Sequence, residues 1–323
     1  MPAPSPAVPG EADVIRWLTP AASRPDVAVG IGDDGAVLAP TPGQALVVVT
    51  DALVAGTHFP PDLPPDAVGH RALAVNLSDL AAMGAVPRWA TLALSLPAVD
   101  AAWVAAFAAG FHALAARSGV VLVGGDTVRG PLFAVVTAGG ELPPGAAVRR
   151  SGARPGDAVY VTGHPGDAVA GRLLAATARG PAADYLRHRF RYPEPRLATG
   201  RALRGLATAM LDVSDGLDQD LARLAAASGV GFVLDVDRLP LSAELRAAAG
   251  DAARGHALTG GDDYELAFTA PADVGGQVLA LATPSCPVTC IGRVAAGSGV
   301  RWQSGGRDVA VPAGAWQHFG PAP

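Results

Sequence analysis

Six loops of this chain set aspartates among Gly, Ser or Thr: Gly30-Ile31-Gly32-Asp33-Asp34, Val49-Thr50-Asp51, Asn76-Leu77-Ser78-Asp79, Gly124-Gly125-Asp126, Asp212-Val213-Ser214-Asp215-Gly216 and Gly260-Gly261-Asp262-Asp263-Tyr264-Glu265. Each follows an apolar run or opens a helical stretch, where α/β folds place their ligands. Taken singly, each acid is a turn residue or a helix cap. Taken together they read differently. Adjacent carboxylates such as Asp33-Asp34 and Asp262-Asp263 gain little from capping twice, and a group of carboxylates repels itself unless cations sit among its members. No His/Cys set at ligand spacing accompanies them, so hard, oxygen-loving ions are favoured, Mg²⁺ over Zn²⁺. Mg²⁺ held this way completes its shell with water and phosphate oxygens, which points to a nucleoside triphosphate. Gly124-Gly125 and Gly260-Gly261 let backbone approach phosphate closely. Arg149-Arg150 is either a phosphate clamp or a solvated linker pair.

The composition narrows the chemistry. All 24 basic residues are Arg, and the acids are 24 Asp against 5 Glu. Without Lys there is no Walker A loop, no protein-kinase strand lysine and no Schiff base. The net charge of −5 offers no basic field for nucleic acid. No apolar run approaches the length of a membrane span, and the opening MPAPSPAVPG lacks the features of a secretory signal, so a cytoplasmic protein with a loose N-terminal arm is expected. Cys286 and Cys290 form a lone C-x3-C, too few ligands for zinc, and are expected to be reduced core or loop residues.

The elements that must position these loops follow from periodicity. Strands are expected at 46–49, 90–96, 120–123, 132–137, 158–161, 232–236, 264–269 and 288–291. Helices are expected at 65–83, with Leu73, Leu77 and Leu80 as an amphipathic stripe, at 100–117 behind an Asp100 cap, and near 166–178, 195–208, 214–227 and 271–282. This mixture makes the chain α/β (α+β). The Pro-, Gly- and Arg-rich stretch 141–156 reads as a domain junction. The expected organisation is an arm and first helix at 1–25, an N-terminal ATP/Mg-binding and dimerisation domain at 26–145, and a C-terminal α/β domain at 146–323.

GIGDDGAVL, VTDALVAGTHF, ALAVNLSDLAAMGAVPRWATLALSLP, GGDTVRGP, RRSGARPGD, VTGHPGD, LDVSDGLDQDL and GGDDYELAFT, in this order, resemble the thiamine-monophosphate kinases of the aminoimidazole ribonucleotide synthetase-like superfamily. The resemblance runs from about residue 27 to the C-terminal HF. It implies a two-domain fold whose N-terminal sheet forms a barrel in a homodimer, and transfer of phosphate from ATP to thiamine phosphate. It places Mg²⁺ on Asp34, Thr50, Asp51, Asp79, Asp126, Asp212 and Asp215. It places ATP on Gly125, Asp126, Arg150 and Ser214, and thiamine phosphate on His58, Asp262 and Trp316. This sequence departs from the pattern in having Asp262 where Glu is frequent, Trp316 where Tyr is frequent, and Val49 where Ser is frequent. An acceptor that is itself a phosphate monoester is largely dianionic at neutral pH and requires no general base, so direct transfer without a phosphoenzyme is expected. Two alternatives stand beside this one: another ATP-using enzyme of the superfamily, and a non-catalytic nucleotide-binding module. A selenophosphate synthase would want a reactive Cys or Sec near the N-terminus, and a hydrogenase-maturation factor a C-terminal Cys tail; the sequence has neither.

Overall fold

The computed structural model describes residues 10–19, 24–174 and 178–312. The chain divides into two compact units, residues 1–76 with 87–141 and residues 77–86 with 142–323.

The first unit contains α1 (Glu11–Leu18), the short strands β1 (Val27–Val29) and β2 (Val37–Leu38), β3 (Ala45–Val54), most of α2 (Pro65–Ala82), β4 (Val86–Leu96), α3 (Ala101–Ser118), β5 (Val121–Arg129) and β6 (Phe133–Leu142). Its four-stranded sheet has the order β3-β6-β4-β5, so among the described residues β3 and β5 are its two edges. The Asp100 cap holds: its Oδ1 accepts from the N–H groups of Ala102 (2.9 Å) and Trp103 (3.2 Å). α3 stops at Gly119, whose φ of 68° is left-handed.

The stripe expected on α2 is a minor part of its burial. From Ala67 to Ala82 every residue except Asp79 is buried, Arg71, Asn76 and Ser78 completely. Two glycines explain one side of this. A Cβ on Gly69 would lie 2.0 Å from the Phe107 carbonyl oxygen, and one on Gly110 would lie 1.9 Å from that of Asp66, so α2 and α3 meet backbone to backbone. In an exposed helix Gly→Ala stabilises by about 1 kcal/mol. Gly110→Ala is expected to reverse that sign and destabilise by at least about 2 kcal/mol through overpacking, read as a lower denaturant midpoint.

The second unit contains β7 (Ala158–Thr162), α4 (Asp167–Leu174), α5 (Pro181–Arg191), α6 (Leu197–Ala202), β8 (Ala209–Val213), α7 (Leu217–Ser228), β9 (Gly231–Asp235), α8 (Ala243–Ala249), α9 (Ala253–Thr259), β10 (Glu265–Ala270), α10 (Gly275–Leu279), β11 (Val288–Ala295), β12 (Gly299–Ser304) and β13 (Arg307–Val309). Among the described residues its sheet has the order β13-β12-β9-β11-β7-β10-β8. Both faces are covered. Val159, Val161, Leu211 and Val213 pack with Leu217, Leu221 and Leu224 of α7, while Tyr160, Met210, Leu266 and Phe268 pack with Ala81, Ala82 and Leu203. This is why β7 and β10 read as continuous apolar runs. Strand alternation puts Asp212 on the same face as Met210, the face that receives residues 81–82 of α2. Both cysteines are free; Cys286 is buried and Cys290 half-buried. No helix among the described residues is long and apolar enough to cross a membrane.

Candidate active site

In the first unit, the turn between β1 and β2 presents Asp33 and Asp34, both exposed. Asp33 Oδ1 accepts the N–H of Asp34 at 2.9 Å, so this carboxylate braces its own turn. The Asp34 carboxylate makes no hydrogen bond or ion pair among the described residues. Asp126 reaches its place through a β-bulge. β4 and β5 pair Ala90 with Leu122 and then Thr91 with Gly124, leaving Val123 as the extra residue. Gly125 follows at φ 152°, where a Cβ would lie 1.8 Å from the Leu92 carbonyl oxygen, so only glycine lets β5 lie this close to β4. Asp33, Asp34 and Asp126 are among the residues lining a cavity of about 390 Å³. Its lining also includes apolar side chains, Ile15 and Leu18 of α1 together with Leu92 and Leu122.

Thr50, Asp51 and His58 lie elsewhere in this unit. They belong to β3 and the turn after it, at the opposite sheet edge from Asp126, about 14 Å away at three strand spacings. The Thr50 hydroxyl lies 2.9 Å from that of Thr137 and donates to the Val136 carbonyl at 3.2 Å. His58 Nδ1 accepts the N–H of Val54 at 3.0 Å, which in a neutral ring leaves the hydrogen on Nε2.

In the second unit, Asp212 is buried and its Oδ2 accepts the Ser78 hydroxyl at 2.7 Å. Burial first, and then the charge of Asp79, push its carboxyl up to about 7; Arg150 pulls the other way. The loop after β8 is tied down by a residue that sequence reasoning missed. Asp220 Oδ2 accepts the N–H groups of Ser214, Asp215 and Gly216 at 3.0, 3.0 and 3.2 Å. Arg223, another missed residue, places Nη1 2.6 Å from both Asp215 and Asp220. The spacing Asp220-x-x-Arg223 in the first turns of α7 was the available signal. Helix α7 itself starts at Leu217 behind Gly216 rather than at 214.

The Gly260–Glu265 loop packs on this one. Asp262 donates its N–H to the Ser214 carbonyl and Tyr264 donates to that of Val213, both at 2.9 Å. A Cβ on Gly261 would lie 2.5 Å from the Ser214 oxygen. Asp262 (φ 70°) and Tyr264 (φ 53°) are left-handed, and the Tyr264 hydroxyl donates to Asp262 Oδ1 at 3.3 Å. The other two acids of this loop are structural. Asp263 is buried and accepts from the N–H groups of Gly166 (2.6 Å) and Ala168 (3.1 Å), which caps α4. Glu265 is fully buried between Arg189 and Arg196 and accepts the Thr162 hydroxyl at 2.7 Å. In each adjacent Asp pair, then, one member, Asp33 or Asp263, braces backbone N–H groups. Trp316 lies outside the described residues.

Among the described residues no three Asp, Glu, His or Cys side chains gather closely enough to hold a metal ion. Within the first unit the sheet order keeps Asp51 of β3 apart from Asp126 of β5, at opposite edges. The donors are nonetheless all carboxylate and hydroxyl oxygen, which fits a hard divalent cation such as Mg²⁺. Asp34 has no other described partner and buried Asp212 sits beside Asp79, so both would be favoured by added positive charge.

Residues 32–142 match the model of "AIR synthase related protein, N-terminal domain", and residues 154–303 match its C-terminal domain. A thiamine-monophosphate kinase of Salmonella typhimurium is 46% identical over 304 residues, spanning 92% of this chain and 94% of that protein. The chain belongs to the thiamine-monophosphate kinase family. Among solved structures of the family, the enzyme of Stenotrophomonas maltophilia superposes with a TM-score of 0.84 at 46% identity, over 92% of this chain and 96% of the other. The structure of AaThiL complexed with AMPPCP and TMP superposes at 0.77 with 34% identity, over 90% and 92%. Family membership agrees with the resemblance carried by GIGDDGAVL and GGDDYELAFT, and with an AIR-synthase-like two-domain fold of mixed helices and sheets.

Proposed function

We propose that this chain is an ATP-dependent kinase that transfers the γ-phosphoryl group of ATP to thiamine phosphate, giving thiamine diphosphate and ADP. The observation that carries this reading is 46% identity over 92% of the chain with an enzyme of that name. A relative bound to AMPPCP, an ATP analogue, and to TMP supports both ligands.

The expected metal positions are Asp34, Thr50, Asp51 and Asp126 in the first unit and Asp79, Asp212 and Asp215 in the second. Bound Mg²⁺ neutralises phosphate charge so that two polyanions can approach. The chain's own residues do the rest. Gly125 and Ser214 offer backbone and hydroxyl contacts to ATP, and Arg150 offers positive charge near Asp212. His58 is the expected contact for the acceptor phosphate; a neutral ring whose Nδ1 accepts from Val54 carries its hydrogen on Nε2. Asp262, held left-handed, offers a carboxylate to the cationic thiamine ring. No group here removes a proton, because the acceptor phosphate is already largely ionised at neutral pH.

A homodimer is part of this reading. Of the proposed metal residues of the first unit, Thr50 and Asp51 lie on β3 and Asp126 on β5, and these edges carry exposed apolar side chains: Leu46 and Val48 (53% and 59% exposed) on β3, and Val128 (46%) on β5. A second copy setting its β5 edge against β3 would cover them and unite Thr50 and Asp51 with an Asp126. The reading also places the enzyme in the cytoplasm, in keeping with its free cysteines.

The test is a coupled assay with ATP, Mg²⁺ and thiamine phosphate, with free thiamine as control. Failure to form thiamine diphosphate from the monophosphate, with a folded protein, overturns the reading. Direct transfer further predicts inversion at a chiral γ-phosphorus; retention would require a phosphoenzyme.

A further inference from the structure

The cavity lined by Asp33, Asp34 and Asp126 has a wall the reading above does not use. Glu11 and Ile15, one turn apart on α1, both face it. Ile15 is 39% exposed, although Val14 and Leu18 beside it are buried. Asp13, the other acid of the first turn, is committed: its carboxylate accepts from the Gly10 N–H at 3.0 Å and pairs with Arg16 at 2.6 Å. Glu11 makes no hydrogen bond or ion pair among the described residues. It also lines a second cavity of about 390 Å³, and Thr127 is the other residue common to both. Glu11 therefore stands where the two cavities meet. The far end of α1 is fixed, with His112 Nε2 2.8 Å from the Leu18 carbonyl oxygen.

Resting on the ATP reading, we infer that Glu11 accepts hydrogen bonds from the ribose hydroxyls of the bound nucleotide, while Ile15 and Leu18 contact its base. An ionised carboxylate only accepts, so its partner must donate. Phosphate does not donate, and three like-charged acids already line the same cavity. The 2′- and 3′-hydroxyls of a ribose are adjacent neutral donors that can meet both carboxylate oxygens, the way an acid reads ribose in dinucleotide-binding folds. From Glu11 to Leu18 the helix advances about 10 Å, at 1.5 Å per residue, which is about the length of a nucleoside. The apolar side chains of Ile15 and Leu18 suit a flat base, and Asp33, Asp34 and Asp126 in the same lining remain for the metal-bound phosphates.

Calorimetric titration with ATP, 2′-deoxy-ATP and 3′-deoxy-ATP in Mg²⁺, without thiamine phosphate, tests this. The unmodified chain should bind ATP about 10-fold tighter than at least one deoxy analogue. Glu11→Ala should weaken ATP about 10-fold, leave that analogue unchanged and so erase the preference. Glu11→Gln, which keeps the length and helix preference of the side chain, should show a smaller loss in the same direction. Equal weakening of all three nucleotides by Glu11→Ala would mark a merely structural role and overturn the inference. Undiminished ATP affinity in that variant would overturn it as well. Tight binding without ribose discrimination by the unmodified chain overturns this inference alone, whereas no binding of any adenine nucleotide overturns the ATP reading with it.

Discussion

Asp126→Asn is expected to form thiamine diphosphate about 10³-fold more slowly than the unmodified chain, with an unchanged denaturant midpoint. The two halves of this expectation rest on different atoms. For folding, Asp126 Oδ1 accepts the N–H of Thr127, a bond that an Asn carbonyl oxygen can also accept, and the side chain is exposed. For chemistry, the variant removes one of the negative charges lining the cavity, and with it a ligand proposed for the Mg²⁺ that would neutralise the phosphates. Losing about 4 kcal/mol of charge stabilisation of the transferring phosphoryl group corresponds to that rate factor. A variant within about 3-fold of the normal rate would remove Asp126 from the proposed metal positions. A variant with a much lower midpoint would show that the bulge and Gly125 depend on the carboxylate itself.

The second large effect lies away from the chemistry. Glu265→Gln should destabilise the protein by about 3–5 kcal/mol, since it leaves Arg189 and Arg196 buried without their shared counter-charge. The guanidinium groups, Arg196 foremost, outweigh burial and hold the Glu265 carboxyl at about 2, well below its ordinary 4.5. A lowered folded-state value means stability that is fully present above the unfolded value and is lost as pH falls through the folded one. The difference in unfolding free energy between the unmodified protein and Glu265→Gln should therefore be level above about pH 5 and shrink between about 4.5 and 2. Using the difference matters, because burial raises Asp167, Asp220 and Asp263 and gives each of them the opposite acid dependence. A difference that stays constant across this range would mean that Glu265 acts through packing and not through charge.

What the sequence disclosed, and what it did not, depended on how local each cause is. The apolar runs of β7 and β10 stood out because both sheet faces are covered, and Asp100 announced α3 because a cap is read from three neighbouring residues. β8 escaped because Asp212 breaks a five-residue strand whose burial is completed from the other side by Ser78 and by Ala81 and Ala82. α5 escaped behind its Arg and His residues, although Ala183, Leu186 and Phe190 supply a buried helical stripe. The acid loops were all visible, and the family resemblance singled out Asp34 and Asp262 within their pairs, but the partners that hold Asp33 and Asp263 were not legible. Which acid of Asp262-Asp263 caps a helix is decided by Gly166 and Ala168, 97 and 95 positions away in the chain. The separation of Thr50 and Asp51 from Asp126 is likewise a matter of strand order, which spacing along the chain does not encode.

The left-handed backbone at Asp262 and Tyr264 has a consequence for heating, if Asp262 serves the substrate as proposed. Each such residue lies about 1–2 kcal/mol above a relaxed turn, and the loop stays there because its N–H groups are clamped to the carbonyls of Val213 and Ser214. Partial fraying at the β8 edge of the sheet would release that clamp, and the loop would fall to a commoner conformation with the Asp262 carboxylate turned elsewhere. The core beneath, built on the interior strands β7 and β10, would still stand. On warming, the contact proposed between Asp262 and the thiamine ring would thus fade before the fold does, and on cooling it would return without refolding.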